Sequence, residues 1–335
     1  MNYEHVWNEW SDSAQFSGVF SVSGENGIVF EKCAGFRNRS ENLPNNKNTS
    51  FGIASGTKLF TGLATCKLID ENKLSLNARI CDILPHDLGK INKKVTVFHL
   101  LTHTSGVGDY IDEDAEDCEE QLLALYDKYP VQLWTRLEYY LQMITPLPPK
   151  FEPGERYCYS NSGFILLGLV VEAISGVSYQ QFVHETVIMP CKLKHTGFYR
   201  ADSLPANVAL GYMENCDGYN TNIFSLPILG GSDGGLYTCA DDLDRLWRAV
   251  FKGKIFSKNM ITEFTKKQSV RSDVKSYGLG VYRYETKNKL IYYAVGGDSG
   301  VDFFSAYLPE QKIVFSALGN TNVNTFPLMK MMFDA

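Results

Sequence analysis

No run of about 18 apolar residues occurs in this 335-residue sequence, so no stretch of it reads as a membrane-spanning helix. The longest apolar stretch, Phe164 to Ala173, is still interrupted by Gly168 and Glu172. There is no surplus of basic residues either. The 32 Lys and Arg stand against 38 Asp and Glu, a net charge of −6. That balance leaves nothing to neutralise a phosphate backbone and argues against nucleic acid as a partner. The N-terminus has neither a basic start nor an apolar core, so no secretory signal is expected. Eight cysteines are present, but no two stand closer than 15 residues apart. A C-x-x-C zinc pattern is therefore missing, and so is the dense framework of a small secreted domain. The cysteines are expected to be reduced thiols, mostly core fillers, in a cytoplasmic protein.

What is present points to a packed interior. Hydrophobic residues make up 44% and aromatic residues 13%, which excludes a disordered chain. The length suffices for one large core or two modest ones. Ser17–Ser23 and Ile28–Ala34 read as strands around the turn residues Gly24-Glu25-Asn26-Gly27. Asn38–Asn48 is polar and Asn-rich, a loop. From Gly56, residues Leu59, Phe60, Leu63, Ala64 and Leu68 recur at helical spacing, and Asn72 ends the run. Val97–Leu101 starts a short helix that Thr104-Ser105-Gly106 closes. Gln121–Met143 is expected to be helical. Pro146, Pro148, Pro149 and Pro153 then force a loop. Ser162–Ile174 is apolar nearly all round, a buried helix with Gly176 as its C-cap. Tyr277–Tyr284, Leu290–Val295, Phe303–Leu308 and Gln311–Leu318 read as successive strands, and Phe326–Phe333 as a closing helix. The acidic run Asp109–Glu120 reads as a solvated loop, with a cation or partner site as the minor reading. The simplest packing is an α+β one: the N-terminal hairpin joins the C-terminal strands in one antiparallel sheet, and the middle forms a mostly helical lobe.

Ser55-Gly56-Thr57-Lys58 places a hydroxyl and an amine three residues apart at a helix start. On one helix face the Lys58 amine can reach the Ser55 hydroxyl. A poorly solvated lysine is pushed toward its neutral form and can take a proton. Free N–H groups at a helix start can stabilise an oxyanion. Chance alone supplies one or two S-x-x-K pairs in a chain this rich in Ser and Lys. The second pair, Ser272 to Lys275, opens no apolar helix and is set aside. Tyr159-Ser160-Asn161 precedes the buried helix. Tyr159 could act as a general base if nearby cations favour its phenolate, and Asn161 could bind a substrate amide. Alone, this Y-x-N reads more readily as an N-cap region with an aromatic plug. Gly297-Asp298-Ser299-Gly300 has the form found in trypsin-like proteases. Those need an upstream His and Asp in an all-β double barrel, which this chain lacks.

Five segments settle the pattern by their order. They are FGIASGTKLFTG (51–62), VTVFHLLTHTSG (95–106), FEPGERYCYSNSGFILLGLVVEAISG (151–176), GGLYTCADDL (234–243) and LPEQKIVFSALGN (308–320). Together the chain closely resembles the serine β-lactamase and penicillin-binding-protein-like hydrolases, in the class C-like branch that includes esterases and D-amino-acid peptidases. The resemblance spans about residues 15–320. It implies a β-lactamase/DD-peptidase-like fold. Residues 1–60 plus 225–335 would form the α/β sheet domain, residues 61–224 the helical one, with the catalytic cleft between them. It implies Ser55 as the acylated nucleophile, Lys58 as its partner, Tyr159 as a second acid/base and Asn161 as a substrate contact. The oxyanion hole would combine the Ser55 amide with one from the strand near Ser299 and Gly300. The reaction would be acyl transfer through an acyl-enzyme on a small ester or amide, such as a β-lactam, a D-amino-acid peptide or a simple ester. No cofactor, nucleic acid or membrane is implied. The LTHTSG segment has a structural role in the family. His99 and His103 stand at zinc-like spacing but lack the HExxH glutamate, so no metal is expected.

The chain departs from the family at the third motif, Lys-Thr-Gly or His-x-Gly. Here the segment reads Val295-Gly296-Gly297-Asp298-Ser299-Gly300-Val301. Counting back from Pro309-Glu310 places the motif at Val295–Gly297; residue type favours Asp298, Ser299 and Gly300. Either register lacks the cation that helps bind a substrate carboxylate. Its loss should weaken β-lactams, and Asp298 either favours a neutral or amine-bearing substrate or caps a strand turn. The altered motif also leaves open a non-hydrolytic binding or sensing module that kept the fold.

Overall fold

Both ends of the chain meet in a single antiparallel sheet. In the computed structural model, which describes residues 2–14, 16–323 and 325–334, the Gly24–Gly27 turn folds β1 (Gly18–Gly24) onto β2 (Gly27–Ala34). The last third supplies β3 (Ser269–Val270), β4 (Lys275–Tyr277), β5 (Tyr282–Glu285), β6 (Leu290–Asp298), β7 (Val301–Leu308) and β8 (Ile313–Gly319). Their spatial order is β2-β1-β8-β7-β6-β5-β4-β3. The hairpin joins the C-terminal strands by pairing β1 with β8, Val19 opposite Leu318 and Phe20 opposite Ala317. Because the sheet is covered on both faces, β1 is buried along six of its seven residues rather than alternating.

The helices that bear on the site are α1 (Tyr3–Ala14), α2 (Thr57–Asp70), α3 (Val97–Leu101), α4 (Cys118–Lys128), α5 (Asn161–Ser175), α6 (Ala240–Phe251) and α7 (Phe326–Asp334). One sheet face receives α1 and α7: Trp7 stacks on Phe20 at 6.0 Å, and Phe333 meets Tyr293 at 5.3 Å. The other face receives α6. There the Trp247 indole donates to Ser305 Oγ at 2.9 Å and Phe251 packs on Tyr307 at 4.6 Å. α5 is apolar all round because it is enclosed: Asn161 to Val171 are all buried. Gly176 ends it in the left-handed conformation, φ 76°. Among the described residues no single helix is long and apolar enough to cross a membrane.

Three expectations are corrected. Gln121–Met143 is not one helix: α4 stops at Lys128, and Pro130 leads into short 3-10 turns before a last α-turn at Leu141–Ile144. Proline has no N–H to continue the ladder and pushes the residue before it out of helical geometry. Tyr277–Tyr284 is not one strand either. Gly280 (φ 99°) turns the chain between β4 and β5, and its Cα approaches Gly62 of α2 so closely that no side chain fits. The cysteines are free thiols, but only Cys66, Cys191 and Cys239 are buried.

Removing the one indole that ties α6 to the sheet should be costly. Trp247→Ala is expected to lower stability by about 3–5 kcal/mol, read as a lower urea midpoint. A shift under about 1 kcal/mol would mean that α6 contributes little to the sheet's support.

Candidate active site

The start of α2 is built for close approach. Ser55 sits in a 3-10 turn, Ala54–Gly56, that runs directly into α2. Ala54 holds φ 43°, a strained conformation for a residue with a Cβ. Thr57 braces it, donating from Oγ1 to the Ala54 carbonyl at 2.8 Å while accepting from the Leu236 amide at 3.0 Å. Gly56 lies against the Phe303 ring, where a Cβ would come within 2.4 Å. β6 passes on the far side: a Cβ on Gly296 would meet the Ser55 amide at 2.8 Å. β5 pairs with β6 only from Leu290 to Tyr293, so the segment 294–298 has one edge free beside Ser55.

One helical turn after Ser55, Lys58 is buried. Its Nζ lies 2.9 Å from Ser55 Oγ, 2.7 Å from Asn161 Oδ1 and 2.8 Å from the Asp233 carbonyl. The two carbonyl oxygens can only accept, so they take two N–H bonds and leave the third position of the nitrogen facing Ser55. Burial lowers the Lys58 pKa, against the pull of Asp233, Glu113, Asp109 and Asp298. On the other side of Ser55, the Tyr159 hydroxyl donates to Oγ at 2.7 Å. Burial holds the Tyr159 pKa well above its ordinary value, and Glu113 adds to the effect. Both shifts favour uncharged groups, an amine and a phenol. The phenolate expected from the sequence is thus disfavoured, and Tyr159 is a proton donor toward Ser55.

The N-terminus of α5 positions Tyr159 and Asn161. Ser160 caps it by accepting from the Gly163 amide at 3.0 Å. Asp109 accepts from the Asn161 and Ser162 amides, both at 2.8 Å, and burial raises its pKa to about 6. His103 Nδ1 accepts from the Ser160 amide at 3.1 Å, and its ring packs 4.6 Å from that of Tyr159. Burial pulls His103 well below its usual pKa, so it is a neutral support. His99 Nδ1 instead accepts from the Thr96 amide and caps α3.

The acidic run is not simply a solvated loop. Asp109 is buried under α5, and Glu113 reaches over the site to accept from Asn161 Nδ2 at 2.9 Å. Asn161 therefore has both ends of its amide engaged, one by Lys58 and one by Glu113. Nothing in residue spacing marks Glu113; only its place in a run of eight acids hinted at it.

At the third motif, the geometry favours the register Val295–Gly297, since Gly296 faces Ser55. Asp298, Ser299 and Gly300 form the turn into β7 and line the cleft. The Ser299 amide donates to Asp298 Oδ1 at 2.8 Å, and the Gly300 amide to Asn322 Oδ1 at 2.7 Å. These two amides are thus already engaged. Burial raises the pKa of Asp298 to about 7, and likewise Asp302, whose carboxylate accepts from the Thr325 amide and hydroxyl at the start of α7.

Two cavities meet at Ser55. The first, about 500 Å³, is lined by Tyr110, Glu113, Trp134, Asn161, Asp233 and Asp298. The second, about 380 Å³, is lined by Tyr159, Arg271, Lys275, Tyr282, Val295 and Asp302. Ser55, Glu113 and Gly297 border both.

A family model described as Beta-lactamase matches residues 9–330. A penicillin-binding protein of Bacillus halodurans superposes with a TM-score of 0.89, is 36% identical, and covers 100% of this chain and 99% of its own. A D-stereospecific amidohydrolase from Streptomyces superposes with a TM-score of 0.80 at 21% identity, over 96% of this chain and 95% of its own, a likeness of fold. The teichoic acid D-alanine hydrolase of Staphylococcus aureus is 24% identical over 94% of this chain and 74% of its own. The chain spans 62% and 59% of the length of two Bacillus subtilis relatives named as penicillin-binding proteins.

The raised pKa of Asp302 makes stability depend on pH. Its folded value of about 7 lies above its ordinary 3.8, so the folded state holds a proton that the unfolded state has lost. Its contribution is complete below about pH 4 and fades as pH rises to about 7, at up to about 1.4 kcal/mol per pH unit. Asp302→Asn should flatten the fall in urea stability between pH 4 and 7. An unchanged slope would show that Asp302 is ionised in the folded protein.

Proposed function

The chain belongs to the β-lactamase family of serine hydrolases, and from that premise we propose that it removes an aminoacyl group from a small ester or amide, with Ser55 as nucleophile. The observation that carries this reading is the buried Lys58 amine held 2.9 Å from Ser55 Oγ by two carbonyl oxygens. Ser55 Oγ attacks the substrate carbonyl, and its proton passes to the Lys58 nitrogen. The oxyanion is met by the Ser55 amide and by the free edge of β6 beside Gly296. As the intermediate collapses, the bond to the leaving group breaks with its electron pair. The leaving atom takes the Tyr159 proton, and Lys58 returns its own proton to Tyr159. Water then repeats the sequence on the ester and releases the acid and Ser55.

The acyl half of the substrate follows from the first cavity. Glu113, Asp233 and Asp298 line it, and Tyr110, Tyr126 and Trp134 present aromatic rings. An ammonium next to the scissile carbonyl suits that lining; an acylamino group, as in most penicillins, brings the acids no cation. A relative named as a teichoic acid D-alanine hydrolase supports the D configuration.

Turnover of D-aminoacyl p-nitroanilides should exceed that of the L-isomers, of N-acetylated analogues and of benzylpenicillin by about tenfold or more in kcat/KM. Ser55→Ala should reduce it by at least about a thousandfold. A folded wild-type protein that turns over none of these, or a Ser55→Ala variant as active as wild type, would contradict the reading and favour a binding module.

A further inference from the structure

The two cavities divide the substrate. When Ser55 attacks a carbonyl, the acyl and leaving groups lie on different sides of Oγ. The leaving atom must collect a proton, and Tyr159, which donates to Ser55 Oγ at 2.7 Å, lines the second cavity and not the first. The second cavity is therefore the leaving-group side, an assignment that rests on the hydrolase reading above.

That side carries cations. Arg271 and Lys275 close the β3–β4 turn, where the Arg271 amide donates to the Lys275 carbonyl at 2.9 Å. The Arg271 guanidinium lies 5.2 Å from the centre of the Tyr157 ring and 5.1 Å from that of Tyr282. Two rings thus flank the guanidinium itself, and no carboxylate forms an ion pair with it among the described residues. The acids nearby are otherwise engaged or peripheral. Asp302 has both oxygens on Thr325 at 2.8 and 2.9 Å. Glu113 is bound to Asn161 at the border between the cavities. Asp114 is exposed at the mouth. Val295, where the family motif would supply a cation, lines this same cavity.

We propose that Arg271, with Lys275, forms a subsite for an anionic leaving group: an amine or alcohol that bears a carboxylate or a phosphate. A guanidinium presents paired donors that match either group. The cation absent from β6 is thus supplied from the neighbouring turn, and discrimination against penicillins rests on the acyl side rather than on their carboxylate.

The test compares one D-aminoacyl group on three kinds of leaving group. The neutral ones are p-nitroaniline and ethanol. The carboxylate is 5-amino-2-nitrobenzoate, and the phosphate is 2-hydroxyethyl phosphate. Wild type should favour the anionic member of each pair by about tenfold in kcat/KM, less at about 0.5 M salt. Arg271→Gln should bring that ratio to near one, Lys275→Gln should lower it less, and Arg271→Lys should restore part of it. A preference for one anion alone identifies it as carboxylate or phosphate. A ratio of one in wild type, or a ratio that Arg271→Gln leaves unchanged, overturns the proposal. If no substrate is hydrolysed, the hydrolase reading fails by itself. Titration of the free leaving groups then decides the subsite: 5-amino-2-nitrobenzoate should bind more tightly than p-nitroaniline, and Arg271→Gln should abolish the difference. Equal binding would overturn the subsite.

Discussion

The enclosure of the Lys58 amine is the constraint on which the rest of the site depends. An ammonium taken out of water is costly unless it is paired. Among the described residues no carboxylate contacts the nitrogen; two carbonyl oxygens and the Ser55 hydroxyl do. Those three oxygens can satisfy either protonation state, and burial tips the balance toward the free amine. Each partner comes from a different part of the chain: Ser55 from the turn before α2, Asn161 from the start of α5, Asp233 from the segment before α6. The nitrogen therefore ties together three separate segments of the chain. Asp109, Ser160 and His103 serve the same end, fixing the first turn of α5 so that Asn161 and Tyr159 arrive together.

The division of charge around Ser55 is the second organising feature. Acids gather on the Asn161 side, where Glu113, Asp233 and Asp298 share one cavity. Cations enter on the Tyr159 side, from the turn between β3 and β4. A substrate with an ammonium in its acyl half and an anion in its leaving group would lie along this gradient. The proposed specificity thus comes from the cavity walls, while the reacting groups themselves are close to neutral.

Much of this was legible in the residues, and the limits have physical causes. Ser55 and Lys58 are local in sequence and share a helix face, so spacing alone brings them together. The hairpin at Gly24–Gly27 and the enclosed α5 also announced themselves through turn residues and apolar runs. Tyr159 and Asn161 needed the family resemblance, because nothing local says that α5 starts beside α2. Glu113 and Arg271 went unseen. Both project from irregular segments with no periodicity, and their place is set by tertiary packing alone. The breaks at Pro130 and Gly280 were missed for the opposite reason: apolar and aromatic neighbours masked a local signal that was present. At the third motif, the residues alone leave two registers open, and the contact of Gly296 with the Ser55 amide favours one of them.

The central claim is that Lys58, whose burial favours the free amine, takes the proton of Ser55. The most direct measurement is the rate of covalent labelling by an activated ester or phosphonate as a function of pH, followed by intact mass and peptide mapping. The account predicts one adduct per chain, on Ser55. Its rate should rise with pH through an apparent pKa below the ordinary lysine value of 10.5, and the labelling should be lost in Lys58→Met. An adduct on another residue, or Ser55 labelling that persists unchanged in Lys58→Met, would contradict it.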